Sequence, residues 1–218
     1  MSEFKWQDRF RVWDREDGQR ACEDIARRTA IEFGLDPRLI CALCEVESSW
    51  MPWAVRHEAG HEWLIGFELI SPGSEQFWTT ANYEYRLRDA AGRLWQPQIE
   101  KLAKFGGVVV GDRATILTEL LGQQTSWSLM QPMGGTMRER GFRGWLTELC
   151  DPAVNLEWGC KHLRWMIDHN NAYGLPDFRI TPEDLAAAWN WGSRMVVDGK
   201  YANEDYVKRV RKAMEGYQ

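Results

Sequence analysis

The 218-residue chain has no run of about 18 apolar residues, so no membrane span is expected of it. It has no basic excess either. Its 27 Lys+Arg against 32 Asp+Glu leave a formal charge of -5, mixed along the chain, and nucleic acid is not an expected partner. Cysteine is scarce and odd in number. Cys22, Cys41, Cys44, Cys150 and Cys160 make no disulfide framework. Cys41 and Cys44 form a CxxC, but on a helical pattern with no second pair and no βαβ context, so all five are read as small core residues. No internal repeat or low-complexity segment interrupts the chain. The start, Met1-Ser2-Glu3-Phe4-Lys5-Trp6-Gln7-Asp8, is too polar for a secretory signal.

Strand-like alternation is also rare, and the pattern is nearly all helix. The length suits one mostly α domain with room for an insertion. Residues 1–18 read as a polar-aromatic arm. Helical spacing runs from Gln19 through Ile25 and Ala26 to Phe33, with Gly34 as the stop. Asp36-Pro37 has the form of an N-cap and first-turn proline for a second helix carrying Leu39, Ile40, Leu43, Val46 and Trp50, ended by Pro52. Helices are predicted over Thr79–Leu87 and Leu94–Phe105, from Asp112 to a stop at Gly122, and over Thr136–Arg140. Gly106–Gly111 reads as a loop or short strand. Asp151-Pro152 starts a helix whose face carries Leu156, Gly159, Leu163 and Met166. Thr181-Pro182-Glu183-Asp184 resembles a capping box for a helix to Trp191, and Asn203 a cap for a last helix through Tyr206, Val207 and Val210. Arg138, Arg140 and the tail Lys208-Arg209…Arg211-Lys212 are expected on solvated helix faces. His162 and His169, spaced with Trp158 and Trp165, read as a partly exposed structural face or a cleft border.

Two features point to a function. Tryptophan is abundant, with 13 along the chain, and an indole can stack on the apolar face of a sugar. Glu47 lies four residues after Leu43 and seven after Ile40, so it shares their apolar stripe, whereas Glu45 is expected to face solvent. A carboxyl group on a drying face has its pKa pushed up by about one or two units, as a proton donor to a leaving oxygen requires.

Three ordered segments extend this: Glu47-Ser48, Ser128-Leu129-Met130-Gln131 with Met133, and Ala188-Trp189-Asn190-Trp191-Gly192. Together with Asp151-Pro152…Asn155…Gly159 and Tyr206-Val207, they resemble the motifs of the soluble lytic transglycosylases, a goose-type-lysozyme-like family that cuts bacterial peptidoglycan. The resemblance covers roughly residues 19–216, apart from a long middle stretch. It implies a lysozyme-like single catalytic domain, 19–218, with residues 57–125 as an insertion near the cleft. It implies cleavage of the β-1,4 bond between N-acetylmuramic acid and N-acetylglucosamine, with Glu47 as sole acid and base. The glutamate would protonate the bridging oxygen and then take the proton of the sugar's C6 hydroxyl, leaving a 1,6-anhydro end without metal or cofactor. Gln131, Met133, Trp189 and Asn190 would bind sugar, with Ser48 beside the acid. Where the family has glycine, this chain has Ser128. Where a tyrosine hydroxyl should touch the acid, it has Trp189. Where a substrate-contacting serine is expected nine residues after the acid, it has Arg56, and Ser126 is a candidate to replace that serine. The resemblance to phage-encoded members, with the polar start, suggests a phage protein, held in the virion with other virion proteins or in the host cytoplasm before release, acting on periplasmic peptidoglycan.

Three rival readings stand beside this one. A muramidase would hydrolyse the same bond with water and needs a base across the cleft, for which Glu58, Glu62, Glu68 and Glu75 are candidates. His57-Glu58-Ala59-Gly60-His61 is a literal HExxH, the zinc-peptidase signature, with Glu84 as a conceivable third ligand. Charged neighbours, Gly60 and the nearby Pro52 are a poor helical context for it. Last, a glycan-binding virion module could keep the shape without catalysis, though it would have no use for Glu47.

Overall fold

The computed structural model describes residues 14–58, 121–142, 144–169, 180–192, 196–197 and 200–217. These residues are mostly helical. The described helices are α1 (Arg15–Glu32), α2 (Pro37–Ser48), α3 (Gly134–Glu139), α4 (Pro152–Asp168), α5 (Pro182–Trp191) and α6 (Glu204–Met214), with a 3-10 turn at Leu146–Cys150. Two antiparallel pairs complete them, β1 (Val55–His57) with β2 (Thr125–Trp127) and β3 (Val196–Val197) with β4 (Lys200–Tyr201). The helices predicted over 79–105 and the Gly106–Gly111 loop lie outside the described residues. Of the helix expected from Asp112, only Leu121–Gln123 is described, and it is helical.

The caps fall where short-range chemistry puts them. Asp36 accepts from Arg38 N, Asp151 from Ala153 N and Val154 N, and Thr181 and Asp184 form a reciprocal capping box. α1 begins one turn earlier than the apolar spacing predicts. Asp14 caps it through Asp17 N, so a polar first turn that buries little is helical and belongs to the domain rather than to the arm. Asn203 precedes α6 but makes no side-chain cap. Its amide donates instead to Asn190 Oδ1 at 2.9 Å and Ala187 O at 3.4 Å, tying α6 to the end of α5.

α2 is the centre of the fold. α1 and α6 pack against it and α5 touches it, while α1 also packs on α4 and α5 on α6. Every residue from Leu39 to Cys44 is fully buried, as befits a helix enclosed by neighbours. α1 comes so close that a Cβ on Gly18 would stand 2.0 Å from Trp50 O, which only glycine permits. Cys22, Cys41, Cys44 and Cys160 are buried and free, and burial pushes the thiols of Cys41 and Cys160 up to about 12. They are core residues and are chemically quiet.

A smaller core joins α3 to the 3-10 turn through Met137, Phe142, Leu146 and Leu149. Arg138 lies inside it rather than in solvent, correcting the expectation of a solvated face. Its Nη1 donates to Phe142 O and Gly144 O, both at 2.8 Å, which satisfies the buried cation locally. Arg140 is also largely covered. Its Nε donates to His162 Nδ1 at 3.0 Å, and its guanidinium stacks 3.4 Å from the Trp165 ring centre.

Candidate active-site cleft

The end of α2 sets the site. Ser49 and Trp50 both have positive φ, 53° and 63°, so the chain turns sharply off the helix at Ser48, four residues before Pro52. Trp50 swings into the core, where its Nε1 donates to Tyr217 Oη at 3.0 Å. That leaves Glu47 on the last turn, half-buried beside α6. Tyr206, buried on α6, donates its hydroxyl to Glu47 Oε1 at 2.5 Å. The carboxyl's pKa is raised, chiefly because burial penalises its charged form. The Tyr206 bond and the nearby Arg56 and Arg209 pull it down, and Glu58 adds to the rise. The hydroxyl contact expected at position 189 is therefore made by Tyr206, from the last helix. Glu45 is not simply solvated: it accepts from Arg15 and from Tyr217 Oη, each at 2.6 Å.

Beyond Trp53, β1 and β2 form one wall. Their register sets Arg56 opposite Ser126 and His57 opposite Thr125. The two ends of the 57–125 stretch thus meet as hydrogen-bonded neighbours, the arrangement in which a long excursion costs least. The Ser128–Gln131 segment folds into a tight turn after β2. Ser128 N donates to Ala54 O at 2.6 Å, and Ser128 and Gln131 take left-handed φ of 58° and 54°. Asn155 of α4 clamps this turn. Its Oδ1 accepts from Met130 N, and its Nδ2 donates to Trp127 O and Leu149 O. Trp189 Nε1 adds a bond to Met130 O at 3.2 Å.

A cavity of about 420 Å3 opens between these parts, lined by Glu47, Arg56, Glu58, Ser126, Gln131, Met133, Trp189 and Asn190. Six of the seven residues named from sequence come together here. Ser48 does not. Its hydroxyl is buried and donates to Cys44 O at 2.9 Å, so it serves the helix end. Gln131 is held more tightly than a free sugar-binding amide. Both Nε2 protons go to backbone, to Ala54 O and Ser128 O, and its Oε1 accepts from Ser126 Oγ at 3.1 Å. One lone pair remains for a ligand. Asn190 Oδ1 is occupied by Asn203, leaving its amide protons for the cavity.

Arg56, Glu58 and Tyr206 were not assigned to the sugar site from sequence. Arg56 and Glu58 flank the expected insertion and form an ion pair, Arg56 Nε to Glu58 Oε1. The sequence names Glu58 only as a candidate base for hydrolysis, Arg56 only as the residue in the place of an expected serine, and Tyr206-Val207 only as a motif match without a role. His57 sits on β1, exposed, and not on a helix. The strand breaks the geometry that HExxH chemistry needs, two histidines one helical turn apart on one face. His61 and Glu84 lie outside the described residues.

Comparison with protein-family models, with curated proteins and with solved structures gave no match.

The chemistry available in the cleft is plain. One dehydrated carboxyl, oriented by a phenol, holds its proton to higher pH than a solvated glutamate does. A tryptophan face and a methionine give apolar contact, and the Ser126 hydroxyl and Asn190 amide give polar contact. A second carboxylate, Glu58, stands in the same space.

Proposed function

We propose that the protein is a peptidoglycan lytic transglycosylase that cuts the N-acetylmuramic acid–N-acetylglucosamine β-1,4 bond, with Glu47 as acid and then base. The observation that carries this reading is the Glu47 carboxyl, raised in pKa by burial, fixed by Tyr206 and facing a cavity it shares with Ser126, Gln131, Met133, Trp189 and Asn190. Glu47 gives its proton to the bridging oxygen as the bond breaks. The resulting carboxylate takes the C6 hydroxyl proton while that oxygen closes onto C1. Tyr206 holds Glu47 in one orientation through both transfers, and its bond strengthens when the carboxyl is ionised. The indole of Trp189 suits a pyranose face, and Asn190 and Ser126 suit acetamido and hydroxyl groups.

One observation favours a second reading, hydrolysis of the same bond. Glu58 lines the cavity with Glu47 and is ion-paired to Arg56. A second carboxyl group in the same cavity as the acid is what activation of a water requires. Mass spectrometry of digested peptidoglycan separates the two. Products one water lighter than hydrolytic fragments support transglycosylation; hydrated reducing ends, lost in Glu58→Gln, support hydrolysis. Cut peptide crosslinks with intact glycan would refute both.

A further inference from the structure

A second cavity, about 520 Å3, is also bordered by α2 and α6 but shares no described lining residue with the first. Arg15 and Gln19 of α1, Glu45 and Val46 of α2, and Arg209 and Lys212 of α6 line it, together with Gly216 and Tyr217. Its volume is within the range of small-ligand sites.

Its charge is unbalanced. Glu45 is the one carboxylate among the described lining residues, and both its oxygens are engaged, by Arg15 Nη2 and by Tyr217 Oη. α6 carries four cations, and they divide sharply. Lys208 pairs with Glu204 and Asp205, and Arg211 with Glu183. Arg209 and Lys212, one turn apart on the cavity side, have no carboxylate within ion-pair distance among the described residues. Among the described residues, two cations without a carboxylate partner therefore line a cavity that Val46 and Ala213 also line, in a chain of net charge -5. Such a lining suits an anion with a small apolar part.

We infer that this cavity binds a peptide carboxylate, that of the acidic stem peptide on the strand whose sugars enter the cleft. The inference rests on the function proposed above. Val46 and Glu47 are consecutive on α2, and Tyr206 and Arg209 are one turn apart on α6, so the two cavities sit within about one helical turn of each other. A stem of a few extended residues, about 3.3–3.6 Å each, covers that separation. Arg209 belongs to both surroundings: it lines this cavity and lowers the Glu47 pKa. A carboxylate seated on it would screen that cation and help the acid keep its proton.

Isothermal titration calorimetry of the full chain with L-alanyl-D-glutamic acid, its diamide and inorganic phosphate tests the site without any catalysis. The acid is expected to bind and to weaken as salt rises, the diamide to bind at least about tenfold more weakly, and Lys212→Glu to cost roughly tenfold. Absence of binding, equal binding of the diamide, or phosphate binding as tight as the dipeptide would overturn the assignment. A second arm compares cleavage of stem-bearing glycan with glycan stripped of its peptides. The ratio of the two rates should fall about tenfold in Lys212→Glu, and an unchanged ratio would refute the proposal. Cutting without dipeptide binding removes this site alone. Binding without any glycan cutting removes the function proposed above.

Discussion

Arg56 and Ser126 face each other across the β1–β2 pair, although they are 70 residues apart in the chain. Ser126 Oγ lies 3.2 Å from Arg56 O, and both side chains line the Glu47 cavity. Ser126, the candidate to stand in for a serine nine residues after Glu47, thus lies opposite Arg56 in the wall of the same cavity. The arginine that took its position adds a cation to the same wall.

Glu47→Gln should abolish activity and stabilise the fold. The loss expected is roughly a thousandfold or more in kcat, since the amide cannot donate the proton. Burial raises the Glu47 pKa, so the folded state holds this proton more tightly than the unfolded state does. Stability is then lost as pH rises from the ordinary carboxylate range through the raised value, where the ionised form must be buried. Glutamine escapes that cost. Urea unfolding at pH 7 should show the variant more stable than the parent, with the gap closing toward pH 4.

Tyr206→Phe should lower kcat by roughly ten- to a hundredfold, because Glu47 loses the bond that orients it. The same bond pulls the Glu47 pKa down, so its removal raises that pKa further. The alkaline limb of the pH–rate profile should move to higher pH. A purely structural role would leave the limb in place.

Ser128→Gly should stabilise the protein by about 1 kcal/mol. Ser128 has a φ of 58°, is fully buried, and its Oγ has no hydrogen-bond partner among the described residues. Glycine takes that conformation without strain and removes the unpaired hydroxyl. The urea midpoint should rise with an unchanged slope.

His162 should make the fold acid-sensitive. It is buried, accepts from Arg140 Nε, stacks on Trp165 and meets Trp189 at a tilt, so its proton sits on the other nitrogen. Burial, with Arg140 beside it, lowers its pKa to about 3. The unfolded chain binds this proton near pH 6.5, so the contribution is complete above that value and is lost as pH falls toward about 3. Tm measured from pH 7 to pH 4 should drop less in His162→Gln than in the parent.

Much of the site was legible because its signals are local. Glu47 could be placed on the apolar side of α2 from its spacing to Leu43 and Ile40, and Asp36, Asp151 and Thr181 announced their helices through chemistry spanning a few residues. Other features left no such mark. Arg138 looks like any surface arginine until Phe142 and Gly144 turn their carbonyls onto it. Ser48 shares a motif with Glu47, yet it points a third of a turn away and bonds its own helix.

The amino-acid order alone determined that the chain is helical, where most described helices begin, and that one glutamate stands on a drying face. Periodicity and capping act within a turn or two, so a linear pattern contains them. Only the tertiary structure decided that Tyr206 reaches Glu47 across 159 residues, that Ser126 settles opposite Arg56, and that Glu58 joins the acid in one cavity. Those relationships come from how α6 docks on α2 and which register two short strands adopt. Docking and register are set by the summed packing of the whole core, which no local stretch of sequence records.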